Sequence, residues 1–260
     1  MKLTTLMAGA LALAGLQGCA TYGSLTAVPT NGERSIYKDG RNTLTSVKLN
    51  TVAVTPNSDR VKSGERGDFT IAVNNGTTAD IVFSTDNVTA QSSAGGSTAP
   101  LKVYSYEELV AEEKKRQAWA AFAVALSGAA SSINAANAGY SHTYGTYSGS
   151  AYGSNGTSAY GYGTYSSTTY NYAAAQAAQD AANARTGAQM ADLMEQGQAN
   201  LHSLRSTILK KETIFPGNWH GGVVEVALPS ISDTAQEIRL DVSVGGEPHE
   251  FIFTLKKAQD

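Results

Sequence analysis

Residues 238–255 read IRLDVSVGGEPHEFIFTL, and this stretch decides the fold class. Ile238, Leu240, Val242 and Val244 alternate with polar residues, Gly245-Gly246 turns the chain, and Phe251, Phe253 and Leu255 alternate back. A period of two places every apolar side chain on one face of a strand, and a Gly-Gly pair supplies the positive φ that a hairpin turn needs. A few extra loop residues are expected beside that turn. Immediately upstream, Val224, Val226 and Leu228 alternate in the same way.

The pattern recurs at the other end of the chain. Thr43–Thr55, Asp68–Asn74, Asp80–Gln91 and Leu101–Tyr104 are rich in β-branched and aromatic residues, separated by turn clusters at 56–59, 74–76 and 93–100. Phe69, Ile71 and Val73 give the second of these one apolar face. About seven short strands at such spacing predict an antiparallel β-sandwich of immunoglobulin-like type, without the cysteine pair of true immunoglobulin domains.

Helical sequence separates the two sets of strands. Ser105-Tyr106-Glu107-Glu108 is a capping box, in which the Ser105 hydroxyl accepts from the Glu108 amide and the Glu108 carboxylate reaches back. A helix is predicted from there to Ala138. A second alanine-rich stretch from Tyr172 to Lys211 predicts a returning helix, with Leu201, Leu204, Ile208 and Leu209 at helical spacing, stopped by Phe215-Pro216-Gly217. The expected fold is thus α+β: a sandwich interrupted by a long antiparallel helical hairpin.

Met1-Lys2, an uncharged run from Leu3 to Leu16, and Gly18 before Cys19 form the pattern of a cleaved secretory signal. The apolar run is too short to span the roughly 30 Å hydrocarbon core as a helix. Leu16-Gln17-Gly18-Cys19 resembles the lipobox of bacterial lipoproteins. Cys19 is the only cysteine in the chain, so it has no disulfide partner within it, and acylation is the expected fate of its thiol. Membership of the lipoprotein class implies a diacylglycerol plus an N-acyl chain, enough for stable anchoring. Ala20 in place of Asp implies the outer membrane, with the body in the periplasm or at the cell surface. Loss of Lys2 moves the formal net charge from −3 to −4, which speaks against nucleic acid as a partner. The expected organisation is a signal at 1–18, a lipidated tether at 19–33, half a sandwich at 34–104, an outgoing helix at 105–138, a Gly/Tyr/Ser-rich tip at 139–171, a returning helix at 172–213 and the other half of the sandwich at 214–260.

From Gln117 to Gln179 no Asp, Glu, Lys or Arg occurs. Ala118, Ala121, Ala125, Gly128 or Ala129, and Ser132 form a small-residue stripe for close helix approach, and Ala174, Ala178, Ala181 and Ala188 form a facing one. Trp119, Phe122, Val124 and Leu126 add more apolar surface than one partner helix covers, so self-association and shallow membrane insertion are both open. The tip from Gly139 to Asn171 holds seven glycines together with Tyr140, Tyr144, Tyr147, Tyr152, Tyr160, Tyr162, Tyr165 and Tyr170. Such composition predicts disorder, but Asn155-Gly156 between Tyr152-Gly153 and Tyr160-Gly161 is a hairpin-turn signal, so a tyrosine-faced ribbon is the ordered alternative. Trp119, Phe122, Tyr144, Tyr147, Tyr152, Tyr160, Tyr162 and Tyr165 are the candidate contact residues.

Motifs for chemistry are missing. His142, His202, His220 and His249 share no metal-ligand spacing, and GxSxG, HExxH and CxxC do not occur. His202 is expected on a helix surface, His220 in a turn and His249 at the start of a strand. No enzyme activity, metal or cofactor is expected.

Thr213-Ile214-Phe215-Pro216-Gly217, Gly221-Gly222-Val223 and Gly246-Glu247-Pro248-His249-Glu250-Phe251 resemble a group of proteobacterial outer-membrane lipoproteins that end in an immunoglobulin-like sandwich with a helical-hairpin insertion. The resemblance covers most of the chain and implies an anchored envelope protein, with no activity attached. The function expected is a structural or interaction module that self-associates through its hairpin. A subunit of an outer-membrane assembly or export pore is one alternative; a carbohydrate- or peptidoglycan-binding module using exposed Tyr and Trp219 is another.

Overall fold

The computed structural model describes residues 21–258 apart from Asn31 and Asp39, so the expected signal and Cys19 lie outside the described residues. The chain is mixed α+β, with sixteen strands in antiparallel sheets and two helices among the described residues. It divides into two compact units, one running to Leu109 and resuming at Leu204, the other Val110–Ser203.

The first unit holds two six-stranded sheets. One has the order β5 (Arg60–Lys62), β1 (Tyr22–Val28), β16 (Glu247–Lys257), β15 (Gln236–Val244), β8 (Val88–Ala94), β9 (Ser97–Leu101). The other runs β10 (Val103–Tyr104), β14 (Trp219–Ala227), β6 (Arg66–Asn74), β4 (Thr51–Pro56), β3 (Arg41–Val47), β2 (Glu33–Lys38). A small pair, β13 (Glu212–Ile214) with β7 (Ile81–Phe83), completes it. Strands from both halves of the sequence lie side by side, as β6 beside β14 and β8 beside β15 show.

Both sheets feed a single hydrophobic core. Phe69, Ile71 and Val73 of β6 and Phe251, Phe253 and Leu255 of β16 are buried, as their alternation predicts, and the Phe69 and Phe253 rings meet with centroids 5.1 Å apart. Polar residues are buried in this unit too, Asn50, Asn75 and His249 the most completely. His249 is fully buried, with Nδ1 3.0 Å from Ser46 Oγ and Nε2 3.4 Å from a Glu247 carboxylate oxygen. Glu247 in turn accepts from the backbone N–H groups of Asn50 and Leu49 and from the Asn50 amide, tying the β3–β4 turn to the β15–β16 turn.

Several expectations are corrected. Residues 22–28, expected within an unstructured tether, form β1, which pairs with β16 and buries Leu25 and Ala27. Thr43–Thr55 is two strands, broken where Lys48 N–H donates to the Asn50 carbonyl. Asp80–Gln91 is likewise broken, by a 3-10 turn at Thr85–Asn87 that Ser84 caps. The 93–100 break contains a hairpin: Gly95 and Gly96, with φ of 56° and 85°, turn β8 into β9. Gly245-Gly246 makes a two-residue turn with Val244 paired to Glu247, so no extra loop residues are present. His220 lies inside β14 rather than in a turn, and Phe215-Pro216-Gly217 follows β13 rather than a helix.

The second unit is a helical hairpin that carries a ribbon. α1 (Tyr106–Asn137) starts at the capping box, with Glu108 N–H donating to Ser105 Oγ and Ser105 N–H to the Glu108 carboxylate, both at 3.1 Å. It leads into β11 (Tyr140–Tyr152), β12 (Ser158–Tyr170) and α2 (Tyr172–Thr207). The ribbon is fully paired over its length, so the expectation of disorder gives way to its ordered alternative. α2 ends at Thr207, short of the expected Lys211. Ile208 and Leu209 leave the helix and are buried in the first unit, where Leu209 N–H donates to the Val223 carbonyl at 2.8 Å.

Candidate interaction surface

The seam between α1 and α2 is lined mainly by small and apolar residues, with a few polar side chains bonded across it. Glu113 is buried there and accepts from Arg116, from Gln117 and from Asn200 of the facing helix. Burial pushes its carboxyl up, but the hydrogen bonds from Gln117, Arg116 and Asn200 together outweigh that and hold it below the usual glutamate range. Gln117 also donates to the Gly197 carbonyl at 3.0 Å, and Gln179 to Ser132 Oγ at 3.0 Å. Small residues allow this approach. A side chain at Gly128 would collide with Thr186, and Ala175 and Ala182 are buried at the same seam.

The seam is rotated by about one residue from the predicted stripes. Ala121, Gly128 and Ser132 face inward as expected, but Ala118, Ala125 and Ala129 are exposed and Val124 takes part in the seam. On α2, Ala178 is half-buried as expected but Ala174, Ala181 and Ala188 are exposed, and the inward positions include Ala175, Ala182, Thr186 and Gly197. With β-branched, polar and glycine residues all available to the seam, the spacing of alanines alone could not say which face turned inward.

This rotation has a consequence for the outer face of α1. Trp119, Phe122, Leu126, Ala129, Ile133 and Ala136 follow one another at alternating steps of three and four, which is a second heptad stripe. All six are exposed, the large ones Trp119, Phe122, Leu126 and Ile133 by 60–66%. Trp119 and Phe122 pack edge to face with ring centroids 6.1 Å apart. The outer face of α2 repeats the spacing with Ala174, Ala177, Ala181, Ala184, Ala188 and Ala191, again all exposed. α1 is long and apolar enough to cross a membrane by length and composition, with little of its apolar window buried.

The ribbon sorts its tyrosines onto two different faces. Tyr140, Tyr144 and Tyr152 of β11 share one face with Tyr160, Tyr162 and Tyr170 of β12; Tyr147 and Tyr165 lie on the other, among Gly145, Gly149, Gly161 and Gly163. Of the candidates, Tyr144, Tyr152, Tyr160 and Tyr162 are therefore brought together on one side, and Tyr162 is 91% exposed. The turn is a three-residue loop: Gly156 N–H donates to the Gly153 carbonyl and Gly156 adopts φ of 80°, so Asn155-Gly156 is not a two-residue turn.

The other singled-out residues do not gather. His142 meets Thr168 across the ribbon at 2.9 Å, His202 is exposed on α2, and His220 stands 3.3 Å from Glu212. His220 and His249 belong to different sheets. Trp219 is exposed at the head of β14, in the other unit from the tyrosines. Among the described residues, no group of three or more His, Cys, Asp or Glu could hold a metal ion. The surface on offer is apolar and hydroxylated, suited to packing and hydrogen bonding. No family model, no curated protein and no solved structure matches the chain.

Proposed function

We propose that the chain is a lipid-anchored, non-enzymatic protein of the bacterial outer membrane. In this reading the first unit is an immunoglobulin-like β-sandwich held near the membrane through acylated Cys19, and the helical hairpin is an arm through which copies associate. The observation that carries it is the exposed heptad stripe Trp119, Phe122, Leu126, Ala129, Ile133 and Ala136 on α1. Four large apolar side chains in line are worth of the order of 1.5–3 kcal/mol each when removed from water, so a partner that covers them is strongly favoured. A second copy supplies such a partner. Its outer α2 face carries alanines at the same three-and-four spacing, into which large side chains can fit; the α1 stripe bears no charge, and Asp180, Arg185 and Asp192 stand at the margins of the α2 one.

Light scattering of the soluble chain from Ala20 onward tests the reading. It predicts an oligomer, reduced to a monomer by Phe122→Glu with Leu126→Glu while the circular dichroism stays unchanged. A wild-type monomer at micromolar concentration overturns it. Loss of labelled palmitate incorporation in Cys19→Ser tests the anchor.

A second reading, a subunit of an outer-membrane assembly or export pore, draws on one observation. β11 and β12 are each 13 residues long, and a tilted strand of about 9–11 residues spans a membrane. Channels in planar bilayers formed by the full chain, and lost on deletion of residues 140–170, are its test.

A further inference from the structure

We propose that the ribbon pairs edge to edge with the ribbon of a second copy, β12 of one against β11 of the next, to build one continuous antiparallel sheet. This rests on the self-association proposed above, which sets hairpins of identical length side by side.

The inference comes from comparing the ribbon with the other sheet edges of the same chain. A sheet edge presents unpaired N–H and C=O groups and invites another strand, and folded proteins block it with short strands, charges or proline. The first unit does this at all four edges of its large sheets. β5 is three residues with Arg60 and Lys62; β9 contains Pro100; β10 is two residues; β2 carries Glu33 and Arg34. The ribbon uses none of these devices. Both of its strands are edges, both have 13 residues, and neither contains a charge or a proline.

The ladder shows which groups point outward. Asn171 N–H donates to the Gly139 carbonyl at one end and Gly153 N–H to the Thr157 carbonyl at the other. Hydrogen-bonded pairs alternate with non-bonded ones in an antiparallel ladder, so the odd-numbered residues bond across the ribbon. The even-numbered ones, from His142 to Ser150 on β11 and from Tyr160 to Thr168 on β12, turn their N–H and C=O groups outward. These same residues carry the tyrosine-rich face, so a neighbouring strand would extend that face by another row of Tyr, Ser and Thr. A two-stranded ribbon is marginal in water, and added strands stabilise it.

Several physical features select a second copy as the occupant. Antiparallel pairing of β12 with β11 of the next copy lets all copies point the same way, as a common anchor at Cys19 requires. A charge-free ribbon meets no repulsion from its own kind, whereas charged edges such as β2 and β5 would.

The test uses the full chain anchored in the membrane of an expressing bacterium. Copies bearing Thr146→Cys are co-expressed with copies bearing Thr164→Cys and treated with a short bismaleimide, alongside the chain with neither substitution. Mixed cells are expected to give covalent dimers at several-fold higher yield than cells holding either variant alone. Adding Ser148→Lys and Ser166→Lys, which install edge charges without touching the ladder bonds, is expected to abolish those dimers while the light-scattering mass of the extracted protein is kept. Ser148→Pro with Ser166→Pro in place of the lysines, removing outward N–H groups in the cysteine-bearing copies, is expected to act the same way. Equal yields in mixed and single populations, or yields unchanged by the edge lysines, overturn the inference. An oligomer that persists without mixed dimers defeats the ribbon pairing alone; a monomer defeats the helical association and the ribbon pairing with it.

Discussion

The Tyr147 ring lies across Gly163, the residue directly opposite it on β12, and Tyr165 lies across Gly145 in the same manner. A methyl group built on Gly163 would fall 2.6 Å from Tyr147 ring atoms, and one on Gly145 would fall 2.3 Å from Tyr165. An aromatic ring that covers a cross-strand glycine shields the ladder where the glycine has no side chain of its own, and such pairs contribute about 0.2–1 kcal/mol to a sheet. Gly149 and Gly161, which face each other, have nothing within 4 Å of the added atom. The four glycines therefore separate into two classes. Gly163→Ala and Gly145→Ala should displace a ring and speed amide exchange throughout the ribbon, whereas Gly149→Ala and Gly161→Ala should slow it by removing about 0.4–1 kcal/mol of unfolded-chain freedom. Amide hydrogen exchange on the four variants checks this, and the same sign at all four would refute it.

Gly222 has a comparable role in the first unit. Its added methyl would sit 2.6 Å from both the backbone nitrogen and Cα of Leu209, at the point where the chain leaves α2 and bonds to Val223. Backbone cannot swing aside as a side chain can. Gly222→Ala is expected to destabilise the first unit by about 1–3 kcal/mol, the usual range for forced overpacking. A urea midpoint indistinguishable from wild type would show that the Leu209 strap is free to shift.

That strap also marks where sequence reading reached its limit. Leu201, Leu204, Ile208 and Leu209 keep helical spacing, and only burial in the neighbouring core separates the last two from the helix. Tertiary packing overrides local periodicity there. Leu25 and Ala27 were equally hidden: two buried residues among Tyr22, Ser24, Thr26 and Val28 make too weak an alternation to signal a strand until β16 is seen beside it. Gly245-Gly246, the capping box at Ser105 and the alternation through Phe251 were legible because local geometry alone dictates them. The outer stripe of α1 was half legible. Trp119, Phe122 and Leu126 were evident as surplus apolar surface, but their line with Ile133 emerges only once Val124 and Gly128 are known to face α2.

His249 gives a pH dependence whose sign can be worked out. Burial of the imidazole is the main cause holding its pKa below the ordinary 6.5; Lys48 acts in the same direction and Glu247 opposes both. The unfolded chain therefore binds a proton more readily than the folded one, and stability is complete above about pH 6.5 and falls as pH drops from there through the folded value. Glu247 adds a second step. Burial raises its carboxyl, yet the Asn50 and Leu49 N–H groups and His249 together leave it lowered, so its contribution is present above about pH 4.5 and is lost as pH falls through the folded value. Urea midpoints between pH 7.5 and 3 should show both steps. His249→Gln should flatten the first and leave the second; an unchanged slope between pH 6.5 and 5 would exclude His249 as its source.

Salt discriminates an apolar association from an electrostatic one. Between Gln117 and Gln179 there is no Asp, Glu, Lys or Arg, so the α1 stripe offers no charge to an ion pair that salt could screen. The chain has two tryptophans, and Trp219→Phe leaves Trp119 as the sole indole reporter. Trp119 is 65% exposed in a single copy and should lose water on association, moving its emission to shorter wavelength as concentration rises. The midpoint of that transition is expected to stay within about twofold between 50 and 500 mM salt, because the driving force is apolar surface removed from water. An exposed stripe that met a charged partner surface instead would show a midpoint rising steeply with salt. A Trp119 emission independent of concentration would mean that the stripe is not covered by a second copy at all.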